Sequence, residues 1–268
     1  MIDYGITGKV AIVTGGSRGV GRGVALALAS QGVRVAITAR RQNLLDETAE
    51  EIRKATPGAE VLAIAADMGS YDDIKRMVKA VADHFGTIDI LINNAASFAY
   101  GSTFQLTDED WTNHFNIKTF GYFRCMREVA PYLEKNKWGR IVNIAGSAAR
   151  QGGLGGGGSA GATNAAIINM SKSVGDTLAG FGVTVNSVHP GASDSDREEL
   201  QIEYAVRETG RPAEEIAAQR AANIPPMGRK VVSADTAQLV MFLCSQQAAA
   251  ITGQTVAVDG GSGRGVFY

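Results

Sequence analysis

The sequence predicts one α/β domain built on a parallel, doubly wound sheet with helices on both faces. Short β-branched apolar runs alternate with amphipathic helical stretches along the whole chain. The runs are continuously apolar rather than alternating, as strands covered on both faces are. No linker-like shift of composition divides the 268 residues, so 1–268 reads as a single domain.

VAIVT (10–14) precedes a helix starting near Arg18, with Val20, Val24, Ala27 and Leu28 on one face. VRVAIT (33–38) precedes a charged helix over 43–54, and VLAIAA (61–66) one whose stripe is Ile74, Met77, Val78, Val81 and Phe85. IDILIN (88–93) leads to a long helical region from Asp108 to about Lys135. RIVNIA (140–145), a helix near 160–180, VTVNSV (183–188), a helix near 234–246 and TVAV (255–258) complete the series. Strand–helix–strand repetition with right-handed crossovers makes the sheet parallel. Two irregular stretches follow strands: a run of 152–158 with six glycines in seven residues, and the polar segment 192–230.

Apolar residues make up 45% of the chain and charged residues 20%, which suits a globular protein and not a disordered one. A formal charge of -1 gives no electrostatic reason to expect nucleic acid or an anionic membrane as partner. No apolar run approaches the roughly 20 residues a membrane span needs, and the N-terminus lacks the pattern of a signal peptide. The expectation is cytoplasmic. Cys125 and Cys244 sit in apolar helical patterns and read as buried thiols rather than a disulfide or metal pair. No metal site is expected.

Residues 14–21, TGGSRGVG, lie between the first strand and first helix. Gly15, Gly19 and Gly21 permit a tight turn and a close backbone approach to a pyrophosphate. Ser17, Arg18, Gly19 and Val20 lead into the helix N-terminus, whose free N–H groups and positive dipole end suit phosphates. In that context the loop points to a Rossmann fold holding a dinucleotide. An NAD site wants a carboxylate at the end of the second strand, yet that strand ends Thr38-Ala39-Arg40-Arg41 and the next carboxylate is Asp46. Arg40, with Arg18 on the same side, suits a 2′-phosphate. NADP(H) is therefore favoured over NAD(H).

With TGGSRGVG come Asp67 after the third strand, Asn93-Asn94-Ala95 after the fourth, and Asn116 in FNIKTFGYF. RIVNIAGS ending at Ser147, His189-Pro190-Gly191 and ITGQTVAVDGG follow in order. On these seven motifs the chain resembles the classical short-chain dehydrogenase/reductases over essentially its whole length. The resemblance implies a seven-stranded parallel sheet, Asp67 and Met68 near the adenine, and Asn94, Ala95 and Ala96 beside the ribose. Ala96 stands where the family usually has Gly. Pro190 and Gly191 would lie near the nicotinamide, and segment 192–230 would be the substrate lid. It also implies a small-molecule substrate and a homo-oligomer, dimer or homotetramer, packed through the two long middle helices.

In the catalytic residues the chain departs from the family, which uses Asn, Ser, Tyr and Lys. Asn116 and Ser147 match the first two. Counting back from Ser171-Lys172-Ser173-Val174 puts Ala160 and Asn164 in the positions of Tyr and Lys. No Tyr lies between Tyr132 and Tyr204, and Lys172 is the single Lys from 141 to 190. Asn164 still offers a hydrogen bond to a ribose hydroxyl, but it has no charge with which to lower a neighbour's pKa. Loss of a positioned proton donor costs roughly 10²–10⁴-fold in rate.

His189, at the strand end, reads as a packing residue before a proton donor, and His84 and His114 read as structural. Tyr268, in the apolar tail VFY, is a remote donor in trans, and Tyr268→Phe is expected to leave activity intact. The lid charges Asp194, Asp196, Arg197, Glu198, Glu199, Arg207, Arg211 and Arg220 read as solvated helix faces. Three functions fit. One is an NADP(H)-linked oxidoreductase on a carbonyl or alcohol with an unconventional acid. The others are a nucleotide-binding protein without redox turnover and a non-redox lyase or isomerase reusing Ser147 and Asn116.

Overall fold

The computed structural model describes residues 3–97, 99, 101–150, 157–191 and 197–263, with the backbone alone at 157 and 197–200. Seven strands form one parallel sheet: β1 (Val10–Thr14), β2 (Arg34–Ala39), β3 (Val61–Ala65), β4 (Ile90–Asn93), β5 (Gly139–Ile144), β6 (Val183–Pro190) and β7 (Thr255–Val258). Their order is β3-β2-β1-β4-β5-β6-β7, so the winding reverses between β1 and β4. At such a switch point the connections leave in opposite directions and open a crevice above the strand ends.

Residue alternation along each strand feeds two cores. Ala11, Val13, Val35, Ile37, Ile90, Ile92, Val142 and Val188 face one layer, with Val24 and Leu28 of α1 (Gly19–Ser30), Leu45 and Ile52 of α2 (Gln42–Ala55), and Val240 and Leu243 of α9 (Ser233–Cys244). Val10, Ile12, Ala36, Leu91, Ile141 and Val185 face the other, with Ile74, Met77 and Val81 of α3 (Tyr71–Phe85) and Cys125, Val129 and Leu133 of α5 (Gly121–Asn136). That division is why the strands read as unbroken apolar runs. A buried leucine such as Leu28 is worth about 2–5 kcal/mol against alanine. Both cysteines are free and buried, and burial pushes each thiol up to about 12. No helix among the described residues is long and apolar enough to cross a membrane.

The helices begin where local chemistry allows. Ser70 caps α3 by accepting from the Asp73 N–H at 3.2 Å, and Gly86 ends it at φ +83. Thr107 and Asp110 form a capping box on α4 (Asp108–His114). The expected helical region from Asp108 to about Lys135 is present in three pieces, with a π-helical segment, Phe115–Phe120, between α4 and α5. The Gly121 N–H reaches back to the Asn116 carbonyl, five residues before it. Glycine at 121 matters because a Cβ there would stand 2.8 Å from the Met68 carbonyl oxygen. Helix α6 (Gly157–Leu178) packs on β6 and on the π segment. The polar segment contributes α7 (Arg197–Thr209) and α8 (Ala213–Ala222).

Candidate active site

The carboxyl ends of β1, β4, β5 and β6 converge on the switch-point crevice. At β1, Gly15 takes φ +65 and Gly19 φ +52, backbone that side chains rarely adopt. A Cβ on Gly21 would sit 2.2 Å from the Gly15 carbonyl oxygen and 2.4 Å from Asn94 Nδ2. The loop is therefore as tight as glycine allows. Arg18, extended at the N-cap of α1, makes no side-chain capping bond, and the first turn carries no acidic residue. A first turn without carboxylates suits an anion at that helix end. Ser17 has its carbonyl bonded by the Thr48 hydroxyl at 3.2 Å, and Val20 packs on the first core.

At β4, the Asn94 and Ala95 N–H groups donate to the Thr14 hydroxyl at 2.9 and 3.1 Å. Asn94 Nδ2 donates to the Thr14 and Gly15 carbonyls, both at 3.1 Å. Asn94 thus clamps the glycine loop, while Ala95 and Ala96 continue from it half-buried. Arg40 is the first residue past β2 and is exposed. Past β3, Asp67 Oδ1 accepts from the Gly69 N–H at 2.9 Å, and the Met68 side chain lies in the second core.

Asn116 stands in the π segment. Its Nδ2 donates to the Gly69 carbonyl at 2.9 Å and its Oδ1 accepts from Arg124 at 2.8 Å. The amide is thus committed to the β3–α3 loop. Ser147 opens a short 3₁₀ turn, Ser147–Ala149, just past β5, half-buried. Beyond β6, the Gly191 N–H donates to the Val258 carbonyl at 2.7 Å, which ties Pro190-Gly191 to β7.

Ala160 and Asn164 lie one turn apart on α6, both buried. Asn164 Nδ2 donates to the Ala160 carbonyl at 2.7 Å, folding the amide onto its own helix. Its Oδ1 is buried without a partner among the described residues, in a residue 5% exposed, beside Gly146. An unsatisfied buried acceptor costs about 1–3 kcal/mol, and a ligand hydroxyl would relieve it. Lys172 stands on the exposed side of α6, ion-paired with Asp176. Tyr122 is buried beneath β5, with its hydroxyl donating to the Ile144 carbonyl at 3.0 Å.

The sequence reading missed Lys118. It lies in the π segment two residues after Asn116 and is only 6% exposed. His114, one turn before it, is buried with Nδ1 3.1 Å from Ser159 Oγ of α6. Burial first, then the Lys118 charge, pushes His114 down to about 4. His189 on β6, 2% exposed, is pushed down to about 4 by burial, then by Arg150 and Lys118, against a weaker pull from Asp259. Both rings are neutral at neutral pH, so neither is a ready acid there. His114 and Lys118 stand four apart in WTNHFNIKTF, a stretch of mixed polarity in which no local pattern marks either side chain as buried.

Residues 152–156 of the glycine run, Asp194, Asp196 and Tyr268 lie outside the described residues. Among the described residues, no group of three or more His, Cys, Asp or Glu is placed to hold a metal ion.

A family model described as enoyl-(acyl carrier protein) reductase matches residues 14–263. The chain is 34% identical over 256 residues to the 3-oxoacyl-(acyl-carrier-protein) reductase FabG of Staphylococcus epidermidis, covering 94% of this chain and 98% of that one. It is 32% identical over 254 residues to the NADPH-dependent reductase BacG of Bacillus subtilis, covering 95% and 97%. Among solved structures, a variant of actinorhodin polyketide ketoreductase with NADPH superposes with a TM-score of 0.90 at 32% identity, covering 96% and 98%. The L-sorbose reductase of Gluconobacter frateurii, complexed with NADPH and L-sorbose, gives 0.90 at 27%, covering 99% and 100%.

Proposed function

The chain belongs to the short-chain dehydrogenase/reductase family of NAD(P)-dependent oxidoreductases, and from that premise we propose that it is an NADP(H)-dependent reductase of a small carbonyl compound with a non-standard acid. One observation carries the cofactor reading: an intact glycine cradle stands beside an arginine at the end of β2, where an NAD site wants a carboxylate. The reductive direction is supported by FabG and BacG, both named as reductases, and NADPH by BacG, named as NADPH-dependent.

The residues fit the dinucleotide. Gly15, Ser17, Arg18, Gly19, Val20 and Gly21 hold the pyrophosphate, and Arg40 takes the 2′-phosphate. Asp67 and Met68 border the adenine, while Asn94, Ala95 and Ala96 border the ribose. Asn164 Oδ1, buried without a partner among the described residues, accepts from a hydroxyl of the nicotinamide ribose. Pro190 and Gly191 flank the nicotinamide. When bound, the reduced nicotinamide supplies a hydride. Ser147 donates to the carbonyl oxygen and orients it. Asn116 acts from the second rank, through the π segment it fastens. Ala160 has no proton to give, and Asn164 has no charge with which to lower a neighbour's pKa. Helices α7 and α8, from the polar segment, serve as the substrate lid of the single domain, in a cytoplasmic homo-oligomer.

Fluorescence titration with NADPH and NADH, followed by turnover on a panel of ketones and β-keto esters, tests the reading. The expected result is tighter binding of NADPH and slow but measurable reduction. Equal affinities would remove the Arg40 reading. NADPH binding with no turnover would favour a nucleotide-binding protein without redox activity, the reading that the missing Tyr and Lys support.

A further inference from the structure

Lysine is almost never fully buried in folded proteins, because removing an ammonium from water costs several kcal/mol. This chain nonetheless buries Lys118, on a π segment, a form of helix common at functional sites. The segment packs on α6, the helix that lacks the family's Tyr and Lys. His114, sharing the Lys118 face, touches Ser159, the residue before Ala160. The Lys118 charge also reaches His189 of β6, which precedes Pro190-Gly191. Its Nε2 is buried without a partner among the described residues.

We propose that Lys118 is the proton donor of this reaction centre, brought in by the π segment in place of the α6 pair. The proposal rests on the redox reading above. The titratable and charged groups that act on one another here are His114 of α4, Lys118 of the π segment and His189 of β6, with Arg150 and Asp259 acting on His189. The Lys118 charge helps hold both histidines neutral, which leaves the ammonium as the acid of the cluster. In the step, the carbonyl carbon gains a hydride with its two electrons and the C=O π pair moves onto oxygen. An N–H bond of Lys118 breaks as the O–H bond forms. The carbonyl is reduced to an alcohol, the nicotinamide is oxidised, and the neutral amine regains its proton from water.

The test compares the parent with Lys118→Met and Lys118→Arg. Methionine matches the length without charge, and arginine keeps the charge but does not release a proton. Lys118→Met is expected to lose roughly 10²–10⁴-fold in kcat on the ketone panel. Its NADPH affinity by fluorescence stays at the parental level, and added methylamine restores part of the rate. In nitrogen-15 NMR of the ligand-free protein, His114 and His189 titrate nearer the ordinary histidine range in the methionine variant and stay low in the arginine variant. Lys118→Arg loses kcat as well.

A folded Lys118→Met protein with kcat within threefold of an active parent overturns the proposal and leaves the redox reading standing. If the methionine variant does not fold, parental kcat in Lys118→Arg overturns it instead. Histidines unmoved by a folded methionine variant also overturn it. A parent that binds NADPH and reduces nothing on the panel sinks the redox reading and this step with it.

Discussion

Arg40 shows how much one side chain decides. It is exposed at the end of β2, so its value lies wholly in what it meets, and a charge-assisted bond to a phosphate contributes about 1.5–3 kcal/mol. Arg40→Ala is therefore expected to weaken NADPH about 10- to 100-fold and leave NADH within a few-fold, read by fluorescence titration; a parallel loss for both nucleotides would sink the assignment. Residues of this kind were legible because sequence alone fixes their place relative to a strand end. Gly15, Gly21 and Arg40 stand past the strand ends and Ala160 and Asn164 one turn apart on α6, as their positions in the sequence imply, while their roles belong to the proposal above. Lys118 was not legible. Its burial depends on which way a helix face turns, and an added residue in one helical turn changes that face.

At the level of elements, that added residue is the main departure from expectation. A periodicity of 3.6 fits residues 108–114 and 121–136, and the pattern alone carried on through the join. The π segment forms where Asn116 bonds to Gly69 and Arg124, and where Gly121 lets α5 close on the Met68 carbonyl. Those partners are over 40 residues away for Gly69 and Met68, beyond the reach of any local window. The strands, by contrast, fell within a residue or two of expectation, because burial on both faces writes itself directly into apolar runs. Helix α6 allows a direct trial of the missing pair. Ala160→Tyr with Asn164→Lys is expected to raise kcat on the ketone panel by about 10²-fold or more. If the parent already reduces ketones well and the double variant gains nothing, the site needs no such pair.

For the molecule as a whole, two outcomes follow from what is buried and what is not. His114 and His189 have folded values of about 4 against an ordinary 6.5. Below 6.5 the unfolded chain takes up protons that the folded chain refuses, so stability is full above that pH and is lost as pH falls toward 4. The loss is on the order of 3 kcal/mol for each histidine. Urea midpoints at pH 7.5 and pH 5 are expected to differ clearly for the parent and much less for a His114→Gln plus His189→Gln variant; identical pH dependence in both would exclude these two rings as the cause. On the surface, Phe120 and Phe123 are exposed beside a groove of about 410 Å³ lined by Trp111, Thr112, Phe115, Asn116, Phe120 and Arg124. Phe123 lies on α5, one of the two long middle helices through which the family resemblance implies that copies pack. Phe120→Glu with Phe123→Glu is expected to lower the mass in solution measured by light scattering, and an unchanged mass would assign assembly to another face.

The Thr14 hydroxyl receives two N–H groups from the loop after β4, and Asn94 returns two bonds to the loop after β1. Four short links rivet the two walls of the cleft into one piece before any ligand arrives. A nucleotide bound as proposed would meet a wall already set in shape there, with little ordering left to do on arrival.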